Sequence, residues 1–228
     1  MKPRLLDTFC KAGGCTRGYQ MAGFEVVGID IEPQPHYVGD DFVQADALEA
    51  LRALIDGGYI VGKSGRRWYL NDFDVIHASP PCQGYSTTRD IHKYKPWHKK
   101  ERPLMIGDVR DLLNKTGKFY VIENVKGAPL LNYVMLCGSM FPGLKVYRHR
   151  LFECNPQIYF PPAACNHSFS MPASKGAYHT LRDQKFITCV GHNFQAESGR
   201  IAMDIDWMTR EELSQAIPPA YTRWIGEK

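Results

Sequence analysis

The 228-residue chain contains no long apolar run and no internal repeat, and its 28 Lys and Arg against 24 Asp and Glu leave a net charge of only +4. The missing apolar run excludes a membrane-spanning helix. The N-terminal stretch Met1-Lys2-Pro3-Arg4-Leu5-Leu6-Asp7 also lacks a small-residue cleavage site, so secretion is not expected. Seven cysteines, an odd number without framework spacing, do not make a disulfide scaffold. They fit a reducing cytoplasm, where free thiols stay available for chemistry. What is present is an ordinary globular composition, 44% hydrophobic and 23% charged, long enough to bury a substantial core in one large domain or one domain with a small appendage. The weak net charge hides three basic clusters, Lys63 to Arg67, Arg89 to Arg102 and Lys145 to Arg150, which suit either a solvated face or a polyanion.

Arg4 to Phe9 reads as a strand running into Cys10-Lys11-Ala12-Gly13-Gly14-Cys15, followed by a helix from Thr16 to Met21. Glu25 to Asp30 reads as a second strand ending on an acid, about 20 residues after the glycines, the geometry of a nucleoside-binding α/β unit. Val43 to Ala47 is another strand end carrying an acid, Asp46, ahead of a helix from Leu48 to Ile55. Gly57 to Leu70 predicts a hairpin at the sheet edge. Its Gly62-Lys63-Ser64 lacks the upstream glycine and long helix of a phosphate-binding loop, so an NTPase is rejected.

The apolar run Phe73 to Ile76 predicts a buried strand that ends at Ala78-Ser79-Pro80-Pro81-Cys82-Gln83-Gly84-Tyr85-Ser86. Two prolines fix φ and remove two backbone donors, so Cys82 is delivered on a stiff turn. After a polar, basic and aromatic loop from Thr87 to Arg102, helical spacing returns over Leu104 to Leu113, and Phe119 to Ile122 forms a strand ending on Glu123-Asn124. Cys82 and Glu123 are thus expected at one carboxyl edge of a parallel sheet, where α/β enzymes hold their ligands. Leu144 to Phe152 predicts a strand with Arg148 and Arg150 on one face. From Cys154 to Asp206 periodicity fades, and Thr209-Arg210-Glu211-Glu212 is a capping box ahead of Leu213 to Tyr221 with its Pro218-Pro219 pair.

This order of motifs resembles the cytosine-5 DNA methyltransferases, as a short member of phage or bacterial type, and the resemblance runs from Leu5 to Gly226. Asp7-Thr8-Phe9 with Ala12-Gly13-Gly14 resembles that family's S-adenosylmethionine loop, Asp30 its ribose-binding acid and Asp46 its adenine-binding acid. Pro81-Cys82-Gln83 resembles the nucleophile motif, Glu123-Asn124-Val125 the second catalytic motif, Arg148-His149-Arg150 the paired-arginine motif, and Gln215-Ala216-Ile217-Pro218-Pro219 the closing cofactor motif. Three positions depart: Lys11 stands where the family has a glycine, Val146 replaces a glutamine and Gln215 an asparagine. The recognition region left, Glu153 to Met208, is short for the family, so sequence readout should be short or lax.

The resemblance implies an α/β fold, a Rossmann-like, mostly parallel sheet with helices on both faces. It divides the chain into a catalytic domain 1–152, a small target-recognition region 153–208 and a C-terminal helix 209–228 that returns to the catalytic domain. It implies cofactor contacts from Phe9, Lys11, Ala12, Gly14, Asp30, Ile31, Asp46, Ala47, Pro81, Gln215 and Ile217. Double-stranded DNA is the expected partner of a monomer, with contacts from Gln83, Ser86, Arg89, Lys93, Lys99 and Lys100. Cys82 is then the nucleophile toward cytosine carbon 6, in a pocket whose arginines favour the thiolate. Glu123, its pKa raised by burial, donates to ring nitrogen 3. Arg150 bonds the cytosine carbonyl, while Arg148 holds Glu123 or a phosphate, or the two exchange these parts.

Competing readings are a cytosine-5 methyltransferase of RNA, modification with another electrophile, and a non-catalytic nucleic-acid-binding module. Cys10, Cys15 and Cys137 are read as packing residues. Cys154, Cys165, His167, Cys189 and His192 could supply zinc donors, but their spacing matches no standard knuckle and no metal is assigned.

Overall fold

A computed structural model describes residues 2–85, 103–168 and 186–228. Among these residues nine strands and six α-helices follow in the order β1 (Arg4–Thr8), α1 (Gly14–Met21), β2 (Glu25–Asp30), β3 (Asp41–Gln44), α2 (Ala47–Ile55), β4 (Tyr59–Val61), β5 (Arg67–Tyr69), β6 (Val75–Ala78), α3 (Ile106–Thr116), β7 (Phe119–Asn124), β8 (Val134–Leu136), β9 (Arg150–Asn155), α4 (Ala196–Met203), α5 (Arg210–Gln215) and α6 (Pro219–Gly226). Seven strands form one sheet in the order β3-β2-β1-β6-β7-β9-β8. Neighbours from β3 to β7 pair in parallel, and β9 runs antiparallel to both β7 and β8. The chain winds outward from β1 to β3, then crosses back to β6 on the other side of β1. That reversal leaves a crevice at the carboxyl ends of the central strands.

Two apolar layers sandwich the sheet because consecutive strand residues point to opposite faces. Leu6 and Val27 join α2 and α3 residues such as Leu51, Leu54, Val109 and Leu113 in one cluster. Their neighbours Leu5 and Val26 join Tyr19 of α1 and Tyr221 and Ile225 of α6 in the other. A third cluster joins Ile187, Cys189, Phe194 and Met203 to Ala12 and Val146, so residues 187–208 share apolar packing with the glycine turn that follows β1. Among the described residues no helix is long and apolar enough to cross a membrane.

The hairpin forms as its own two-stranded sheet, β4-β5. It is tied beside β3 by Lys63 N–H donating to the Phe42 carbonyl at 2.7 Å, and by Asp41, which accepts from Ser64 Oγ at 2.6 Å and Trp68 Nε1 at 2.8 Å. The serine of the rejected phosphate-loop pattern therefore holds a carboxylate. One expectation fails: the strand predicted from Leu144 begins only at Arg150. β8 is three residues long and its last pairing is Leu136 with Arg150, so residues 144–149 have no ladder partner in the sheet. Val146 instead sinks into the third cluster, bridged to Ile187.

At the C-terminal side, Thr209 and Glu212 form the capping box of α5, and Pro219 opens α6. Helix α6 lies against α1 so closely that a Cβ on Gly18 would fall on the Thr222 hydroxyl and the Pro219 carbonyl. Thr222 Oγ1 also donates to the Cys15 carbonyl at 2.8 Å. Gly18→Ala therefore has to push the two helices apart, and it is expected to lower unfolding stability by about 1–3 kcal/mol in chemical denaturation. An unchanged midpoint would mean that α1 and α6 are not held at this spacing.

Candidate active site

The parallel register aligns Thr8 with Ala78 and Ala78 with Ile122, so β1, β6 and β7 deliver Phe9, Ser79 and Glu123 to one edge. Beyond Ala78 the chain turns through Ser79-Pro80-Pro81 to Cys82. Among the bonds that hold the turn, two fall on its proline and cysteine carbonyls. Asn124, fully buried at the end of β7, donates from Nδ2 to the Pro80 carbonyl at 2.9 Å, and Tyr85 N–H donates to the Cys82 carbonyl at 3.0 Å. Tyr85 Oη in turn accepts from Ile106 N–H at 3.1 Å, joining the turn to the start of α3.

Glu123 is buried, and Arg150 Nε lies 3.0 Å from its Oε1, an ion pair without hydrogen-bond alignment. Burial raises the Glu123 pKa, with Arg150, Arg148 and a hydrogen bond to Ser79 pulling the other way. Behind Glu123 runs a buried polar chain: Ser79 Oγ lies 2.9 Å from His77 Nε2, and His77 Nδ1 lies 2.9 Å from Tyr19 Oη. Burial drives the His77 pKa down to about 3, so the ring is neutral, with one nitrogen donating and the other accepting. His77 and Ser79 had no role in the sequence reading. Their signal is alternation, since Ser79 stands two residues past His77, just beyond the end of β6.

Two electrostatic expectations are corrected. The Cys82 thiol is pushed up, not down, because burial and Glu123 outweigh the lowering by Arg150 and Arg148. The arginines take the exchanged arrangement only in part. Arg150 faces Glu123, while Arg148 is buried away from the cavity and donates to the Cys189 carbonyl at 2.8 Å and the Ser214 carbonyl at 2.9 Å. Burial lowers the Arg148 pKa to about 9. Because residues 144–149 are not a strand, the predicted common face does not form.

Cys82, Glu123 and Arg150 border a cavity of about 380 Å³, within the range of small-molecule sites. Every residue predicted to hold the cofactor borders the same cavity: Phe9, Lys11, Ala12, Gly14, Asp30, Ile31, Asp46, Ala47, Pro81, Gln215 and Ile217. Gln83 lines it too, while Ser86, Arg89, Lys93, Lys99 and Lys100 lie outside the described residues.

Asp30 accepts from the amides of Lys11 and Glu32, each at 3.1 Å. Asp46 caps α2, and both capping bonds, from Leu48 and Glu49, fall on Oδ1. Lys11 has φ 47°, the left-handed conformation that suits the glycine it replaces, and its ammonium lies 3.1 Å from Glu32 and 3.6 Å from Asp30. Asp7, part of the resembling loop but not among its expected contacts, accepts from Thr16 Oγ1 at 2.6 Å and leaves Oδ1 buried without a partner among the described residues. Burial raises its pKa to about 7.

The far wall comes from the C-terminal segment. Trp207 Nε1 donates to the Ala12 carbonyl at 2.8 Å, and a Cβ on Gly14 would lie 2.5 Å from the Ile217 carbonyl. Acids at two neighbouring strand ends, apolar walls from Phe9, Ile31 and Ile217, and an unsatisfied buried oxygen on Asp7 fit an adenine nucleoside carrying a polar tail. Of the suggested zinc donors, Cys165 and His167 come together with Cys137 and His149, while Cys154, Cys189 and His192 do not join them.

Residues 3–132 match the family described as C-5 cytosine-specific DNA methylase. The type II methyltransferase M.XorII of Xanthomonas oryzae pv. oryzae is 30% identical over 130 residues, 55% of this chain and 29% of that protein. The type II methyltransferase M.AgeI of Thalassovita gelatinovora is 27% identical over 173 residues, 65% of this chain and 38% of that protein. The chain thus spans about a third of the length of these curated relatives. Among solved structures, the S. pombe Dnmt2 methyltransferase superposes with a TM-score of 0.56 at 11% identity, covering 99% of this chain and 98% of that one. The Entamoeba histolytica methyltransferase EhMeth gives 0.57 at 14% identity, covering 100% and 97%. The structural likenesses show a shared fold, and the match over more than half of the sequence assigns the rest: the chain belongs to the C-5 cytosine-specific DNA methylase family.

Proposed function

We propose that the chain transfers a methyl group from S-adenosylmethionine to carbon 5 of a flipped-out cytosine in double-stranded DNA, through a covalent adduct on Cys82. The observation that carries this reading is the convergence of Cys82 and Glu123, from adjacent parallel strands, on the cavity lined by Phe9, Asp30 and Asp46. Asp30 would hold the ribose hydroxyls of the cofactor and Asp46 its adenine, and the cofactor supplies an electrophilic methyl group.

Carbon 5 of cytosine is a weak nucleophile, and addition of the Cys82 thiolate at carbon 6 pushes electrons toward carbon 5 and ring nitrogen 3. Glu123 in its acid form donates a proton to nitrogen 3, and Arg150 holds the carboxyl in place. Loss of the carbon 5 proton to water after methyl transfer lets the carbon–sulfur bond break, which returns Cys82 as the thiolate, and the nitrogen 3 proton goes back to Glu123. Burial favours the acid form of Glu123 but opposes the thiolate, so ionisation of Cys82 is an uphill step that Arg150 and Arg148 moderate.

A cytosine stacked in a duplex cannot reach Cys82, and flipping it out costs roughly a few kcal/mol. Region 153–208 would read the target, with the basic stretch from Arg89 to Arg102 on the phosphate backbone, where contacts add affinity and salt dependence without sequence choice. The reaction belongs to the reducing cytoplasm, where the thiol stays free.

Three measurements bear on this reading. Purified protein should transfer labelled methyl from S-adenosylmethionine to duplex DNA and form a trapped adduct with 5-fluorocytosine DNA, and Cys82→Ala should abolish both. Equal labelling by the variant would sink the covalent mechanism, and labelling of RNA alone would move the substrate to that polymer. Glu123→Gln should lower methyl transfer by about 100-fold or more, the usual weight of a positioned acid. In the free protein, alkylation of Cys82 followed by peptide mass spectrometry should keep accelerating as pH rises past the ordinary thiol range of about 8.5, because the thiolate reacts and its pKa is raised. A plateau below that pH would show that the arginines win instead.

A further inference from the structure

Away from the cavity, three separated stretches of chain bring Cys137, His149, Cys165 and His167 together, with their ligating atoms all within 4.8 Å of one another. Cys137 follows β8 and precedes the 3-10 turn Gly138–Met140, His149 immediately precedes β9, and Cys165 and His167 lie on the exposed loop that leaves β9. Cys137 Sγ is 3.3 Å from His167 Nε2, and His149 Nε2 is 3.4 Å from Cys165 Sγ. Zinc bonds of about 2.3 Å to sulfur and about 2.0–2.1 Å to nitrogen, set at tetrahedral angles, require a sulfur–nitrogen edge of about 3.5 Å. Both pairs match that edge. Two thiols against two imidazoles also make a poor hydrogen-bond network, since an S–H is a weak donor.

We propose that these four side chains bind one Zn²⁺ in a closed two-sulfur, two-nitrogen site. Binding would release two thiol protons, and two thiolates with two neutral imidazoles would cancel the charge of the ion. Thiolate and imidazole donors in a tetrahedron select zinc over magnesium or calcium. With all four positions filled by protein, no coordination site is left for substrate, so the metal is structural.

Its work is mechanical. The loop after β9 exposes Tyr159 and Phe160 and has little core of its own, so the metal would staple it to the end of β8. His149 sits between Arg148 and Arg150, and its carbonyl accepts from Arg150 Nη1 at 2.9 Å. Coordination would therefore also fix the peptide that orients the guanidinium facing Glu123. His167 is already packed, its ring centroid 4.1 Å from Tyr147 and 4.8 Å from His149.

The test is metal analysis of the full chain, purified under reducing conditions without chelator. About one zinc per chain is expected, and X-ray absorption of the bound metal should show two sulfur and two nitrogen neighbours. Cys165→Ser and His167→Gln, both on the exposed loop, should lose the metal while circular dichroism stays that of the folded protein, and Cys154→Ser should keep it. Wild-type protein that neither contains zinc nor binds added Zn²⁺, variants that retain it, or a Cys137–Cys165 disulfide under reductant would overturn the proposal. If the variants fail to fold, the absorption spectrum of the wild type decides alone.

Discussion

The hydrogen bond from Asn124 to the Pro80 carbonyl is the constraint on which the rest of the site depends. Parallel pairing brings β6 and β7 into register, but pairing stops at Ala78 and Ile122. Past that point two prolines can donate nothing to a neighbouring strand. The fully buried amide of Asn124 takes over, anchoring the proline carbonyl from one side while its own Oδ1 accepts from Val125 N–H at 2.9 Å. The residue next to the acid thus positions the turn that bears the thiol. The turn that bears the thiol and the strand end that bears the acid are thereby tied directly to one another by one side chain.

Burial acts on the Glu123 carboxyl and the Cys82 thiol in the same electrical direction and with opposite effect on the proposed reaction. Removing water from Glu123 keeps a proton on a group that is useful with one, and removing water from Cys82 keeps a proton on a group that is useful without one. Arg150 moderates both shifts from one position. The neutral chain of Tyr19, His77 and Ser79 adds hydrogen bonds behind Glu123 without adding charge, which leaves that balance to the arginines.

Much of this arrangement is legible in the sequence because it depends on where strands stop. An apolar run ending at Pro80-Pro81 and another ending at Glu123-Asn124 locate Cys82 and Glu123, and a third ending at Asp30 locates a cavity wall. What depends on tertiary contact is not legible. Arg148 and Arg150 alternate as though on a strand, yet the short β8 leaves the first of them without a ladder, and it turns inward to carbonyls of Cys189 and Ser214. The thiol shift of Cys82 follows from burial, which no local pattern encodes. Cys137 reads as a packing residue because its neighbours are apolar, and only the fold shows that its sulfur meets His167 thirty positions away.

The wall built by Gln215 and Ile217 carries a consequence for local opening. Ala12 and Gly14, in the glycine turn after β1, meet their partners only in residues 207 and 217. Proteins open in contiguous units whose cost ranges from near zero up to that of global unfolding. Release of the segment around 207–217 would leave β6 and β7 paired and the Cys82 turn bonded to Asn124, but would open the cavity along one side. The turn that bears the thiol and the strand end that bears the acid stay joined through that opening, and the chamber that would bring them a methyl donor is what it exposes.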